Sequence, residues 1–182
     1  SPQSFFRGWG LDLSFIAIPS AGQHWVLDAL DLSVERSAER YFGDASTWGT
    51  TFSLPLMLFS VMLFISRSQC RKPLTPFLLI AVFGLYMSLG PSLKIESTKP
   101  DGIVLGQLMS EEYAIINTGS GIISERIPGF RNMRASYRWH GLALFGFWAV
   151  LVAAAAPGHS RRLVAASSAC LLVVSILNLP HL

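Results

Sequence analysis

Four stretches of this chain, residues 45–66, 73–93, 139–160 and 163–182, contain no Asp, Glu, Lys or Arg, and each runs for at least 20 residues. An α-helix rises ~1.5 Å per residue, so about 20 apolar residues suffice to cross the hydrocarbon core of a bilayer. Apolar core helices of a soluble protein are the competing reading, but they rarely sustain that length. Composition points the same way: 51% of residues are hydrophobic, 14% are charged, and mean hydropathy is +0.46. These values are displaced from those of soluble domains. The expected fold class is an all-α membrane protein with about four transmembrane helices, joined by extracytoplasmic loops that carry short interfacial helices.

The first two gaps are rich in Leu, Phe and Met, with prolines near helix starts, where a missing N–H costs least. The last two are lighter, with Ala and Ser at close spacing. Ala165 and Ala169 fit a small-xxx-small pattern that lets helices approach closely. Only a short "PGHSR" connection separates these two gaps, which predicts a tight hairpin.

Charge sets orientation. The short segments 67–72 and 158–162 carry arginine and lysine and no acid, so the positive-inside rule makes both cytoplasmic. The division that follows is an extracytoplasmic segment 1–44, helix 45–66, cytoplasmic loop 67–72, helix 73–93, extracytoplasmic loop 94–138, helix 139–157, cytoplasmic loop 158–162 and helix 163–180. All eleven acidic residues fall in the two outer segments. Both ends of the chain would lie outside, and with no basic leader before Ser1 an upstream part is expected to have delivered it. The chain is therefore expected to be the C-terminal portion of a larger polytopic protein.

Other chemistries lack their signatures. Cys70 and Cys170 fall in different compartments of this topology, and the four histidines form no zinc-type cluster with them. Neither a P-loop nor a dinucleotide fingerprint is present, and "NTGSGIIS" (117–124) reads as a turn between short helices. No metal, cofactor or nucleic-acid partner is expected.

In the outer segments, 11–30 mixes apolar residues with Pro19, Gly22, His24 and Trp25, as expected of chain skimming an interface. Residues 28–44 read as a short polar helix ending at Gly43. The stretch 102–127 holds enough Ile, Leu and Val for one or two amphipathic helices, expected to lie on the membrane surface or the bundle.

Three motifs in order, "ERYFGDASTWGTTFSLPLMLF" (39–59), "YMSLGPSLKI" (86–95) and "IPGFRNMRASYRW" (127–139), resemble the C-terminal half of bacterial polytopic proteins of the GT-C glycosyltransferase superfamily. That superfamily takes in relatives of lipid-linked-sugar mannosyl and arabinosyl transferases and the YfhO-like proteins. The resemblance covers roughly residues 11–160. It implies a protein of the bacterial inner membrane that transfers a sugar from a polyprenyl-phosphate donor on the extracytoplasmic face, for assembly of the cell envelope. It also implies that the catalytic acid sits on an earlier outer loop, outside this chain. Asp12 reads either as support for such a cavity or as an ordinary helix or turn cap. A transporter or flippase, or a non-catalytic assembly protein, stands as the alternative, although transporters usually carry ionisable groups within their spans.

Arg131, Arg134 and Arg138 precede the third apolar gap at spacings that would align them if the helix began near Gly129. Arginine's planar fork suits phosphate oxygens, and its stem tolerates an interfacial position. They read either as a lipid-phosphate site, with His140 at the end of the same face, or as membrane-interface anchors. The expected partners are a polyprenyl-phosphate-linked sugar and membrane lipids.

Overall fold

The computed structural model describes residues 3–66, 71–102, 108–130, 135–155 and 161–180. Four long helices form one layer: α5 (Leu54–Ser66), α6 (Arg71–Ser88), α8 (His140–Ala155) and α9 (Arg161–Leu177). A second layer at one end is built from α1 (Gln3–Gly8), α2 (Leu13–Ala17), α3 (Trp25–Ala29), α4 (Ala45–Gly49) and α7 (Ser120–Arg126). It also holds two short strands, β1 (Ser92–Leu93) and β2 (Ile116–Asn117).

The chain is mostly helical, and two stretches are long and apolar enough to cross a membrane, Ala45–Ser66 and Ser136–Ala155. Lys72–Ser88 is a shorter apolar helix. The first stretch is interrupted between α4 and α5. There, Thr50 and Thr51 turn their hydroxyls back onto the carbonyls of Ser46 and Thr47, at 2.7 and 2.8 Å. Hydroxyls that bond to nearby main chain compete with helix continuation. The second gap also ends early: α6 stops at Ser88, and Gly90, at φ +68°, turns the chain into β1.

Within the long-helix layer the closest approach is between α6 and α8, which run antiparallel. Each contributes an Ala-x-x-Gly step, Ala81 with Gly84 and Ala143 with Gly146. A Cβ at Gly84 would meet the amide nitrogen of Ala143 at 2.5 Å, and one at Gly146 would meet the Phe77 carbonyl oxygen at 2.6 Å. Ser60 on α5 is fully buried and donates to the Phe147 carbonyl at 2.9 Å, tying α5 to the same helix. The apolar core here is formed by Leu56, Leu63, Phe147, Leu151, Leu163 and Val174. Ala165 and Ala169, expected at a close helix contact, are instead exposed. The small residues that matter lie on the second and third long helices.

The outer layer has its own core of Leu11, Phe15, Ile16, Tyr41, Trp48 and Tyr137. Phe15 meets Tyr41 and Trp48 edge-on at 5.8 and 6.0 Å. Burying each such ring stabilises the layer by about 1.5–3 kcal/mol.

Two further expectations are corrected. The all-α reading misses β1 and β2, which pair antiparallel with Ser92 opposite Asn117 and Leu93 opposite Ile116. No helix spans 28–44, because α3 ends at Ala29 and Asp31 adopts φ 56°. Asp28 accepts hydrogen bonds from the Gly22 amide and the Ser33 hydroxyl, which folds this stretch into turns. In the stretch 102–127, α7 and a 3-10 turn at Glu111–Tyr113 form. There Met109 is buried, while Ile115, Ile116 and Ile122 face away from the protein.

Candidate functional site

A pocket of about 250 Å³ opens where the two layers meet. Leu56 of α5, Leu144 and Trp148 of α8 and Val174 of α9 line its floor. Gly49, Thr50, Phe52 and Ser53, from the interrupted stretch between α4 and α5, form one wall, with His24 and Asn178 opposite. The break in the first apolar gap thus exposes backbone and hydroxyls at the layer boundary.

His24 stands immediately before α3 and is only 8% exposed. Its ring meets Phe52 edge-on at 5.0 Å, and among the described residues neither ring nitrogen completes a hydrogen bond. Burial lowers its pKa, against the opposing pull of Asp28 and of the Leu177 backbone. The position is fixed by the main chain: the Trp25 amide donates to the Leu179 carbonyl at 3.0 Å, and His24 bridges Pro180. On the other side, Ser53 Oγ lies 3.0 Å from His140 Nε2. His140 is 2% exposed, and its Nδ1 has no hydrogen-bond partner.

A second polar cluster lies within the outer layer and is nearly saturated. The Asp12 carboxylate caps α2 through the Ser14 amide at 2.9 Å and also accepts the amides of Glu96 and Ser97 at 2.8 and 2.9 Å. Lys94 is 2% exposed and donates to the carbonyls of Arg7 and Gly10 at 2.7 and 2.6 Å. Burial pulls its pKa down to about 8, with Asp12 opposing the shift and Arg7 adding to it. Arg7 donates to Ser92 at 2.8 Å and pairs with Glu111 at 3.7 Å. Buried charges persist only when compensated in this way. The cluster is a clasp between chain ends of the outer layer, with its donors and acceptors consumed internally.

The residues singled out from the sequence therefore separate. Asp12 is a cap, and it does not line the pocket. His140 sits behind the pocket wall through Ser53. Arg138 belongs to a 3-10 turn, Ser136–Trp139, and its side chain is exposed. Among the described residues its guanidinium makes no hydrogen bond or ion pair; Glu111 pairs with Arg7, and Glu125 accepts from Gln3. Arg131 and Arg134 lie outside the described residues. On either side of them, Gly129 has φ +93° and Ala135 lies at φ −92°, ψ 82°. His24, Lys94 and Arg7 carried no spacing signal, because their partners lie far away in sequence.

Among the described residues no group of three or more His, Cys, Asp or Glu is placed to hold a metal ion. Comparison of the chain with protein-family models, with curated proteins and with solved structures finds no match.

Proposed function

We propose that the chain is the outer-facing, four-span portion of a multi-pass membrane protein that handles a polyprenyl-phosphate-linked sugar, as GT-C glycosyltransferases do. The observation that carries this reading is Arg138: an exposed guanidinium with no described partner, placed directly before an apolar helix. Its neighbours hold it there. Tyr137 is buried and stacks on Trp9, and Trp139 stacks on Phe130 at 5.3 Å. A cation so placed, at headgroup depth, suits a lipid phosphate.

The four-span arrangement is supported by apolar side chains turned outward on every long helix. Leu58 and Met62 on α5, Leu79 and Val82 on α6, Phe145 and Val152 on α8, and Leu172 and Ile176 on α9 are all exposed. Lipid would cover them without cost, whereas water would not.

Binding of polyprenyl phosphate to the full chain in bilayer vesicles tests the site. Arg138→Lys keeps the charge and loses the bidentate fork, so phosphate recognition predicts roughly ten- to a hundred-fold weaker binding, as the loss of about 1.5–3 kcal/mol requires. Wild-type binding by Arg138→Lys would make the residue an interface anchor. Topology is tested separately: a membrane-impermeant thiol reagent should fail to reach Cys70, which lies outside the described residues, from the outer face of intact cells.

A further inference from the structure

The pocket at the layer boundary has one feature that a packing defect would lack, a buried imidazole with hydrogen-bonding capacity to spare. A neutral histidine carries one N–H donor and one acceptor nitrogen. The nearby Leu177 carbonyl can serve only the donor, because a carbonyl has no hydrogen to give. The acceptor nitrogen therefore needs an O–H or N–H from elsewhere, and no described residue supplies it. Asn178, which also lines the space, donates one Nδ2 hydrogen to the Val174 carbonyl at 2.9 Å.

The Thr50 and Ser53 hydroxyls on the wall are engaged by the Ser46 carbonyl and by the Thr51 carbonyl and His140, the rest of the lining is chiefly apolar, with Phe52, Leu56, Leu144, Trp148 and Val174, and no lining residue is an acid, lysine or arginine. A lone water occupies roughly 30 Å³ of liquid and is held in sites with several polar partners. This space is about 250 Å³ and mostly greasy. A charged headgroup would find no counter-ion in it, and a pure hydrocarbon would leave the imidazole unsatisfied, a cost that buried polar groups avoid.

We infer that this pocket binds an uncharged, hydroxyl-bearing lipid chain, whose hydroxyl donates to the acceptor nitrogen of His24 while the chain lies over Leu56, Leu144, Trp148 and Val174. The site is distinct from the phosphate site assigned to Arg138, and it stands or falls independently of it.

Photolabelling of the full chain in phosphatidylcholine vesicles tests this, using a diazirine-bearing long-chain alcohol, its methyl ether and its phosphate monoester as probes. The alcohol should label peptides containing Phe52, Leu144 or Trp148. The ether, which has no hydrogen to donate, and the charged monoester should each label them about tenfold less, the scale of one lost hydrogen bond. His24→Phe should cut alcohol labelling by a similar factor, and His24→Gln, which keeps an acceptor, should restore most of it. Leu144→Trp should block the pocket without touching His24. Equal labelling by alcohol and ether would reduce the pocket to nonspecific apolar partition and overturn the inference. Stronger labelling by the monoester that depends on His24 would also overturn it, and would make this space part of a phosphate-lipid site. Loss of monoester binding in Arg138→Lys with alcohol labelling unchanged would confirm that the two sites are separate.

Discussion

Gly146 on α8 faces Ala81 on α6 so closely that a Cβ at Gly146 would lie 2.7 Å from the Ala81 Cβ and 2.6 Å from its amide nitrogen. Two backbones are in contact there, with no flexible side chain between them to yield. Gly146→Ala should destabilise the helix pair by about 1–3 kcal/mol through overpacking. Gly141→Ala, on the same helix with nothing within 4 Å of its Cβ, should instead be neutral or stabilising by up to about 1 kcal/mol. Unfolding midpoints of the two variants in micelles check the contrast.

Asp12 collects donors from its own helix start and from residues more than eighty positions away. Asp12→Asn replaces one acceptor oxygen by a donor facing main-chain amides and leaves Lys94 without its nearby anion. A loss of about 2–3 kcal/mol is expected, on the scale of charge-assisted hydrogen bonds. Hydrogen exchange at Ser14, Glu96 and Ser97 should accelerate together, because all three amides share this carboxylate.

Lys94 gives the outer layer an unusual alkaline response. Its folded pKa of about 8 lies below the ordinary 10.5, so between these values the folded chain holds fewer protons than the unfolded one. Stability therefore rises with pH across that window, by up to about 3 kcal/mol, and the cost of the buried charge is fully present below pH 8. Subtracting the curve of Lys94→Met, which cannot titrate, isolates the effect.

His24 responds in the acid range with the same sign. Burial lowers its pKa from 6.5, so the folded chain resists protonation and stability falls as pH drops from 6.5 through the lower folded value. Asp28, the acid that faces it, opposes part of this shift. Docking of α3 on the end of α9 should loosen on acidification, seen as faster exchange of the Trp25 amide once intrinsic rates are corrected. His24→Phe should remove the pH dependence.

Charge-free length made the four long helices legible in the sequence, since apolar runs of about 20 residues outlast an ordinary strand. Their closest contact was harder to see. The Ala-x-x-Gly step of α6 matters only beside the matching step of α8, some sixty residues on, whereas the Ala165 and Ala169 pair was visible within one helix and lies on its exposed face. Asp28 and Asp31 misled the reading of 28–44, because their polarity looks like a solvated helix face until the Asp28 side chain is seen closing turns. The i, i+3, i+7 spacing of the arginines makes a shared face only where the backbone is helical; Arg138 sits in a 3-10 turn, and Arg131 and Arg134 lie outside the described residues. Asp12 was legible as a cap, but its second set of partners was not.

The clasp of Arg7, Asp12 and Lys94 also orders events in time. Its two halves are separated by the whole α5–α6 hairpin, so Asp12 leaves the ribosome long before the amides of Glu96 and Ser97 exist. Until both helices have been made and the chain has returned to the second layer, Asp12 has an unpaired carboxylate and Arg7 and Gly10 have unfilled carbonyls. Contacts this distant form late and slowly. The clasp thus reports on completion of the fold: until residues from both sides of the α5–α6 pair have met, Lys94 and Asp12 lack their partners and the segment stays open to proteolysis.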